Sequence, residues 1–432
     1  MHRLRAVTEN PPALRAAPFC KGGKKRVPPF AKGGLGGILL LASAAAHAGI
    51  IFTPHLSEYS RLPPGQYTEF TFVYTDIEDV YDRDGKRVHA GSPFIPPGES
   101  VQATLALMKF LWIGNVFRDS NVWFLKTHPQ FCRMIGGLGW QQSSDAIIER
   151  ARLFGLTGGG NGLVDLFGLC GVYTDEYRWG PLKVNGLWAG TVKFPIGRWD
   201  QDALLNTGTN YWSYIPQFAV HADLWGRVQL DATAAYHFHG DNDQPAFGGT
   251  TPTRIADWRT YEGNLAFKWT EHWFTDIGFS HRESVGPNYY DQVTVTFKDP
   301  QPAQTACDNT NNNNGLGLVI IDQNLCNSSN QFYLRPQPGS YADRGIYGDA
   351  VTAGLYYIYR TSSVVNLRVF YPVAGRGSQF NITYDVCVDA PCSDSNPPAS
   401  TVGTVLNGVQ EAAAISASPF FEARFVYLFW AP

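Results

Sequence analysis

The sequence predicts an all-β fold: a transmembrane, antiparallel up-and-down β-barrel of about 12 strands, with long extracellular loops and short periplasmic turns. Three features support this prediction: strands with one apolar face, connections that alternate between long and short, and an N-terminal export signal. The clearest strand is Val228 to His239, where apolar residues alternate with mostly polar ones. A period of two gives a strand one apolar and one polar face.

The first 48 residues have the pattern of an export signal. An apolar run from Leu35 to Ala46 follows several Lys and Arg residues, and Ala46-His47-Ala48 is a small-x-small cleavage site. The run is shorter than the roughly 20 residues that a spanning helix needs. We therefore expect residues 1–48 to be a signal, with a start assigned further upstream than export requires, and residues 49–432 to form a single barrel domain.

Composition argues against a nucleic-acid partner. Eight of the 34 Lys and Arg residues and one of the 37 Asp and Glu residues precede residue 49, which leaves 26 basic and 36 acidic residues and a net charge of −10. Binding to phosphate needs clustered basic residues. The 12 Trp, 21 Tyr and 27 Phe instead suit the aromatic belts of a membrane protein.

The alternating pattern can be followed along the whole mature chain. Two further segments are predicted outside the barrel wall: a short helix at 146–154, and a strand at 291–297 that projects above the barrel. The predicted barrel strands are 66–76, 101–112, 120–131, 162–174, 181–194, 211–221, 228–239, 261–269, 273–282, 351–360, 365–371 and 421–429.

The connections between these strands are sorted by length. The long ones, near 78–100, 133–161, 195–208, 240–255, 285–346 and 375–418, all fall on one side of the predicted sheet, as they do in outer-membrane barrels. Burying Arg368, Glu422 and Arg424 in a soluble core would cost several kcal/mol each unless they were paired, whereas a lumen accepts them. We expect the outer membrane of a Gram-negative bacterium as the location, with its lipid as a partner.

The polar face of each strand gives a set of candidate lumen-lining residues. We expect no cofactor and no metal, because the spacing of His237, His239, Asp241 and Asp243 is not that of a closed zinc site. The candidates are Lys183, Asn185, Lys193, Gln229, Asp231, Thr233, His237, Glu262, Asn264, Lys268, Asp276, Arg282, Arg360, Asn366, Arg368, Glu422 and Arg424. They carry both signs of charge, and inward-facing Tyr356 and Phe370 are large enough to plug the bore.

Six cysteines follow the signal, an even number that favours disulfides in an exported protein. Cys307 with Cys326 would close a loop of roughly 20 residues and contribute about 3 kcal/mol. Cys387 with Cys392 would pin a small loop tip. Cys132 and Cys170 are the remaining candidate pair.

Two resemblances follow from these residues. The closing strand, with Phe421, Phe425 and Phe429 on one face, resembles the assembly signal of Gram-negative outer-membrane proteins, although Trp430-Ala431-Pro432 extends beyond it. Val192 to Asp200, Gly208, the 225–243 hairpin end and Gly162 to Gly168 are similar to the family named for the meta pathway of phenol degradation, with Val164 in place of a family Gly. That resemblance implies an outer-membrane barrel and no catalytic residues.

These observations lead to a functional expectation with alternatives. We expect an outer-membrane channel or uptake barrel for small molecules, with aromatic or hydrophobic solutes favoured. The alternative is a non-transporting surface barrel whose disulfide-pinned loops bind a partner. A barrel hydrolase built on His281 and Ser284 is a third hypothesis, but nothing in the sequence fixes a base beside a nucleophile, so we expect no enzyme.

Overall fold

Twelve strands of one antiparallel sheet form a closed barrel in the computed structural model. Each strand pairs with the next, and the last strand pairs with the first, so the predicted fold class and strand number are confirmed. The structure describes residues 64–81, 85–89, 100–115, 119, 121–143, 145, 157–201, 203–244, 252–287, 289–297, 332–342, 345–360, 363–376, 380–386, 400–406 and 415–430. The predicted signal, the helix at 146–154 and the four cysteines beyond residue 300 lie outside the described residues.

The barrel strands are 8 to 14 residues long. In chain order they are β1 (Gly65–Ile77), β2 (Val101–Gly114), β3 (Gln130–Ser143), β4 (Leu166–Tyr173), β5 (Leu182–Phe194), β6 (Ser213–Leu224), β7 (Val228–His239), β8 (Asp257–Lys268), β9 (Trp273–Val285), β10 (Tyr347–Arg360), β11 (Ser363–Arg376) and β12 (Phe420–Trp430).

The remaining elements lie outside the barrel path and are mostly at the end with the long connections. One small sheet contains Asp79–Tyr81, Arg87–His89 and Ile415–Ser416, and another pairs Thr157–Gly159 with Ala203–Leu205. Asn161–Leu163 pairs with β3, and Tyr177–Trp179 pairs with β5 at the opposite, short-turn end. A six-stranded sheet is formed by Asp241–Asn242, Thr253–Arg254, Tyr289–Phe297, Phe332–Ala342, Phe380–Val386 and Ser400–Leu406.

The prediction of a third strand at 120–131 is wrong. A short α-helix occupies Trp123–Thr127, and β3 begins only at Gln130. Pro129 lacks an N–H and disfavours helix at the residue before it, so the helix ends there. The sequence does not indicate β3, because its glycines are poor strand formers and interrupt the alternating pattern. At Gly137 a glycine is needed, since a Cβ there would lie 2.1 Å from the Ala106 carbonyl oxygen.

The outer surface of the barrel is apolar. Ile277 on β9 is 63% exposed and Leu367 on β11 is 59% exposed, although both lie within the strands. Aromatic side chains are exposed near both ends of the wall: Trp123, Trp179, Trp225 and Trp269 near the short turns, and Tyr74, Trp140, Trp212 and Tyr371 near the long loops. Two aromatic girdles around an apolar band are typical of a barrel seated in a bilayer.

Among the described residues, no helix is long and apolar enough to cross a membrane.

The apolar band gives a first prediction. Ile277→Arg places a charge on the outer face about halfway across the band, and we expect it to lower the free energy of unfolding in lipid vesicles by about 2 to 4 kcal/mol. Glu271→Arg in the exposed turn before β9 is the control and should be close to neutral. Equal effects of the two substitutions in urea titrations would contradict a lipid contact at Ile277.

Candidate functional site

The barrel interior is the candidate site, and strand alternation decides which side chains face it. On β7, Asp231 is 1% exposed whereas the preceding Leu230 is 46% exposed. On β9, Asp276 is 3% exposed whereas the next residue, Ile277, is on the open outer face. Successive side chains of a strand point to opposite faces, so the polar residues lie inside and the apolar ones outside.

A set of buried polar side chains on β9 to β12 forms what we call the polar wall: Asp276, Thr352, Tyr356, Arg368 and Glu422. Arg368 Nη2 lies 3.3 Å from Asp276 Oδ2, and both side chains are 0% exposed. The Tyr356 hydroxyl donates a hydrogen bond to the same carboxylate oxygen at 2.7 Å. Arg368 also donates to Thr352 Oγ1 at 3.3 Å. Low exposure strengthens these contacts, because little water screens the charges.

Gly354 makes the polar wall possible. It pairs with Asp276 on one side and Arg368 on the other. A Cβ at this position would lie 2.2 Å from Asp276 Oδ1 and 2.8 Å from Arg368 Cγ. A glycine in a strand interior is otherwise unfavourable, so its role here is to leave room for the ion pair.

Further charges continue from the polar wall toward β1 and β2. Glu422 is the register partner of Arg368. Glu69 lies 2.6 Å from Lys109 and 3.8 Å from Arg424, so one carboxylate faces two basic groups. Opposite charges on neighbouring strands therefore alternate along this part of the interior.

The other side of the interior is apolar. Seven buried residues on β1 to β6 pack into one cluster, which we call the apolar wall. Its large side chains are at most 5% exposed, and the rings of Phe131 and Tyr173 lie 5.3 Å apart. Its members are Tyr67, Ile113, Phe131, Leu169, Tyr173, Leu187 and Ala219. The barrel interior thus has packed apolar side chains on one side and hydrogen-bonding groups on the other.

At the long-loop end, Asp165 fastens a connecting segment to the barrel. Its Oδ1 accepts a hydrogen bond from Gly197 N–H at 3.0 Å, and its Oδ2 accepts from Thr209 N–H at 3.0 Å and Oγ1–H at 2.6 Å. Lys193 Nζ lies 3.9 Å from the same carboxylate. Gly197 and Gly208 approach so closely that a Cβ on either would lie 2.6 Å from the other. We call this arrangement the Asp165 clasp.

The structure places the predicted lumen residues as follows. Ten are buried: Asn185, Lys193, Asp231, Thr233, Asn264, Asp276, Asn366, Arg368, Glu422 and Arg424. Lys183, Gln229, His237, Glu262, Lys268 and Arg282 are partly buried, and the side chain of Arg360 is outside the described set. Tyr356 and Phe370, predicted as large inward residues, are each 0% exposed. Whether the set lines a conducting path remains a prediction.

Sequence reasoning missed several interior partners because pairing depends on register. His221 Nδ1 lies 2.8 Å from Asp231 Oδ1, across β6 and β7. Lys109 and Glu69 meet across β1 and β2. A hairpin register drawn from the short 225–227 turn would have found the first pair. The second lies across a long loop, which leaves no comparable signal.

One of the three predicted disulfides falls within the described residues. Cys132 on β3 and Cys170 on β4 are joined, and they are direct register partners with their Cα atoms 4.1 Å apart. The bond therefore links two adjacent barrel strands. The Cys307–Cys326 and Cys387–Cys392 pairs stay predictions.

The proposed hydrolase pair does not meet in the structure. His281 Nδ1 contacts Asp349 Oδ1 at 2.6 Å, and its ring stacks on Tyr261, which is on the outer face. Ser284 is three residues away, so strand alternation points it to the other face, where its Oγ accepts a hydrogen bond from Ile346 N–H. A base and a nucleophile on opposite faces of a strand cannot act together.

Part of this chain matches a known protein family. A family model described as "Putative MetA-pathway of phenol degradation" matches residues 86–285. The resemblance to the phenol meta-pathway family is confirmed over these residues. The family segment contains the Asp165 clasp and the strands β2 to β9. Arg368, Glu422 and Arg424 of the interior lie beyond it.

Solved structures include barrels of the same kind. An outer membrane channel from Pseudomonas putida F1 has a TM-score of 0.53 at 12% identity, covering 87% of this chain and 100% of that one. This likeness supports the barrel fold. A Pseudomonas aeruginosa FadL homologue (10% identity, 90% and 98% covered) and the Escherichia coli outer membrane phospholipase A (7%, 90% and 98%) score only 0.35 and 0.32. The comparison with curated proteins finds no match.

The space at Gly354 can be tested by filling it. Gly354→Ala should push Asp276 and Arg368 apart, and we expect a loss of about 1 to 3 kcal/mol of folding free energy from overpacking. Gly263→Ala is a matched control, because a Cβ there meets nothing closer than 3.9 Å. If urea unfolding in vesicles gives the two variants the same stability, the ion pair does not depend on Gly354.

The Asp165 clasp can be tested by proteolysis. Asp165→Asn replaces one accepting oxygen by a donor, and the loss of a charged hydrogen bond of about 1.5 to 3 kcal/mol should raise tryptic cleavage after the exposed Arg198 by about tenfold or more. Asp243→Asn, at an exposed position near the same end of the barrel, should leave the cleavage rate unchanged. Unchanged cleavage in Asp165→Asn would show that the clasp does not hold this segment.

Proposed function

We propose that this chain is an outer-membrane channel of a Gram-negative bacterium for the passive uptake of small aromatic or hydrophobic molecules. The observation that carries the proposal is the two-sided lumen. An apolar wall suits a ring or alkyl body, and the facing polar groups suit an attached oxygen. Ligand sites are commonly apolar surfaces with a few placed polar groups.

Unpaired polar groups inside the barrel support this proposal. The side-chain amides of Asn264 and Asn366 are buried and have no hydrogen-bond partner within the described part of the chain. Buried polar atoms are normally satisfied by protein or water. Groups of this kind on a lumen wall are available to water and to a passing solute.

The name of the solved Pseudomonas putida protein, an outer membrane channel, and the description of the matched family agree with the proposal. The positions of His281 and Ser284 supply no support for a hydrolase, so we propose a channel without catalytic activity.

A second candidate function is favoured by one observation. Phe370, Tyr356 and the Asp276–Arg368 pair are fully buried, as expected if the barrel is closed at their level. A closed barrel would serve as a surface protein whose loops bind a partner.

One uptake experiment separates these functions. Porin-deficient Gram-negative cells that express the chain should take up radiolabelled phenol faster than cells with an empty vector, and the purified protein should conduct ions in planar bilayers. Ala219→Trp, in the apolar wall at 0% exposure, should return uptake to the vector level because it fills the lumen. Ala234→Trp, one strand away on the exposed outer face, should retain uptake.

Correct folding is checked by heat-modifiable migration on gels, with Ala219→Leu as a milder replacement if Ala219→Trp fails to fold. Wild-type protein that folds, yet gives neither conductance nor uptake above the vector, would rule out the channel and favour the surface protein.

A further inference from the structure

A group of aromatic and basic side chains meets inside the barrel toward the long-loop end. The rings of His239 and Trp258 lie 4.5 Å apart, and the ring of His237 lies 6.0 Å from Trp258. The Arg282 guanidinium is 4.7 Å from the centre of the Trp258 ring. Tyr211 packs edge-on against His239 at 5.3 Å. Trp258 is therefore the centre of this group, which we call the Trp258 cluster.

Inward orientation of the Trp258 cluster follows from the strand register. Trp258 is 7% exposed, whereas Tyr261 three residues later is 45% exposed on the outer face. His237 is the register partner of Trp258, and Thr260 is the partner of Arg282. The cluster therefore lies on the inner face of β7 to β9 and belongs to the same lumen as the two walls.

Three polar atoms of the cluster have no hydrogen-bond partner among the residues that the structure describes. They are Trp258 Nε1, Arg282 Nε and His239 Nε2, and each is a buried atom. The neighbouring atoms are satisfied: His239 Nδ1 lies 2.8 Å from Ser213 Oγ, and His237 Nε2 lies 3.0 Å from Thr260 Oγ1. An unsatisfied buried polar group costs about 1 to 3 kcal/mol, so these three atoms need a partner that the described chain does not supply.

The chemistry of two of these atoms defines that partner. Trp258 Nε1 and Arg282 Nε are donors only, so they require acceptor oxygens. A carboxylate has two oxygens, so it offers an acceptor for each donor. The rings of Trp258, His237 and His239 provide faces and edges for a flat aromatic body.

Charge in the neighbourhood sets the expected affinity. Lys193 lies 3.4 Å over the Tyr211 ring, so its positive charge is close to the cluster. It also lies 3.9 Å from Asp165, whose carboxylate offsets part of that charge. Glu262 lies two residues after Thr260 and therefore on the same face of β8, and its carboxylate interacts electrostatically with Arg282. Binding should therefore be weak, with a Kd of about 1 mM, which suits a solute that must also leave the channel.

We propose that the Trp258 cluster is a binding site in the lumen for small aromatic carboxylates, with Trp258 and Arg282 donating hydrogen bonds to the carboxylate. This inference rests on the proposed uptake function and adds a substrate class to it.

The test uses benzoate as the probe with the purified full chain in detergent or vesicles. Binding is measured by ligand-observed NMR, and passage by uptake of radiolabelled benzoate in porin-deficient cells. Trp258→Phe keeps the ring and removes the N–H, so benzoate binding should weaken about tenfold. Arg282→Gln should weaken it at least as much. Trp269→Phe is the matched control, because Trp269 is 64% exposed near the short turns. The Trp269→Phe variant should bind benzoate with the same affinity as the wild type.

Two comparison ligands test the chemical class. Cyclohexanecarboxylate keeps the charge without the aromatic ring, and phenol keeps the ring with a neutral hydroxyl; both should bind more weakly than benzoate. Tighter binding of phenol than of benzoate would overturn the carboxylate assignment. Equal benzoate affinities for Trp258→Phe and Trp269→Phe would overturn the assignment of the cluster.

The outcomes also distinguish this inference from the proposed function. A wild-type protein that conducts ions and transports phenol but binds no benzoate would contradict the proposed binding site at Trp258 and would still support the channel function. A folded protein that neither conducts nor transports any of the three solutes would contradict the channel itself.

Discussion

Pairing of β1 with β12 is the constraint on which the rest of the structure depends. It leaves no unpaired sheet edge in lipid, where each unsatisfied backbone group would cost several kcal/mol. Ten residues from Gln66 to Thr75 take part in this pairing. Once the sheet is closed, every second side chain must enter a bounded interior, so its charges have to be satisfied by one another, by water or by a solute.

The interior meets this demand differently on its two sides. The polar wall uses Asp276 and Arg368, held together across three strands because Gly354 leaves the space between them. The apolar wall on β1 to β6 needs no pairing and packs as a small core. Between these walls and the long loops lies the Trp258 cluster, where the described chain leaves donors without acceptors. Together with the buried side-chain amides of Asn264 and Asn366, these donors are the physical basis for proposing a path for solutes.

Much of the fold was predictable because a period of two survives in the sequence. Val228 to His239 and the closing strand show it plainly, and the observed strands coincide with them. Strand β3 escaped prediction because Gly136, Gly137 and Gly139 remove the alternation, and close backbone approach explains Gly137. The candidate site was less accessible. The polar face of each strand identifies Asp276, Asp231 and Arg368 as inward residues, but only the register shows that Arg368 meets Asp276 or that His221 meets Asp231. The aromatic Trp258 was missed for another reason, since the alternation rule selects polar residues for the lumen.

The most direct test of this account is a double-mutant cycle between Asp276 and Arg368. Unfolding free energies in lipid vesicles are measured for the wild type, Asp276→Asn, Arg368→Gln and the double variant. For a pair with both side chains at 0% exposure, each single substitution should cost about 3 to 5 kcal/mol. The coupling energy should be about 1 to 3 kcal/mol. A coupling energy close to zero would mean that water separates the two charges, and it would contradict an interior organised by pairing across the polar wall.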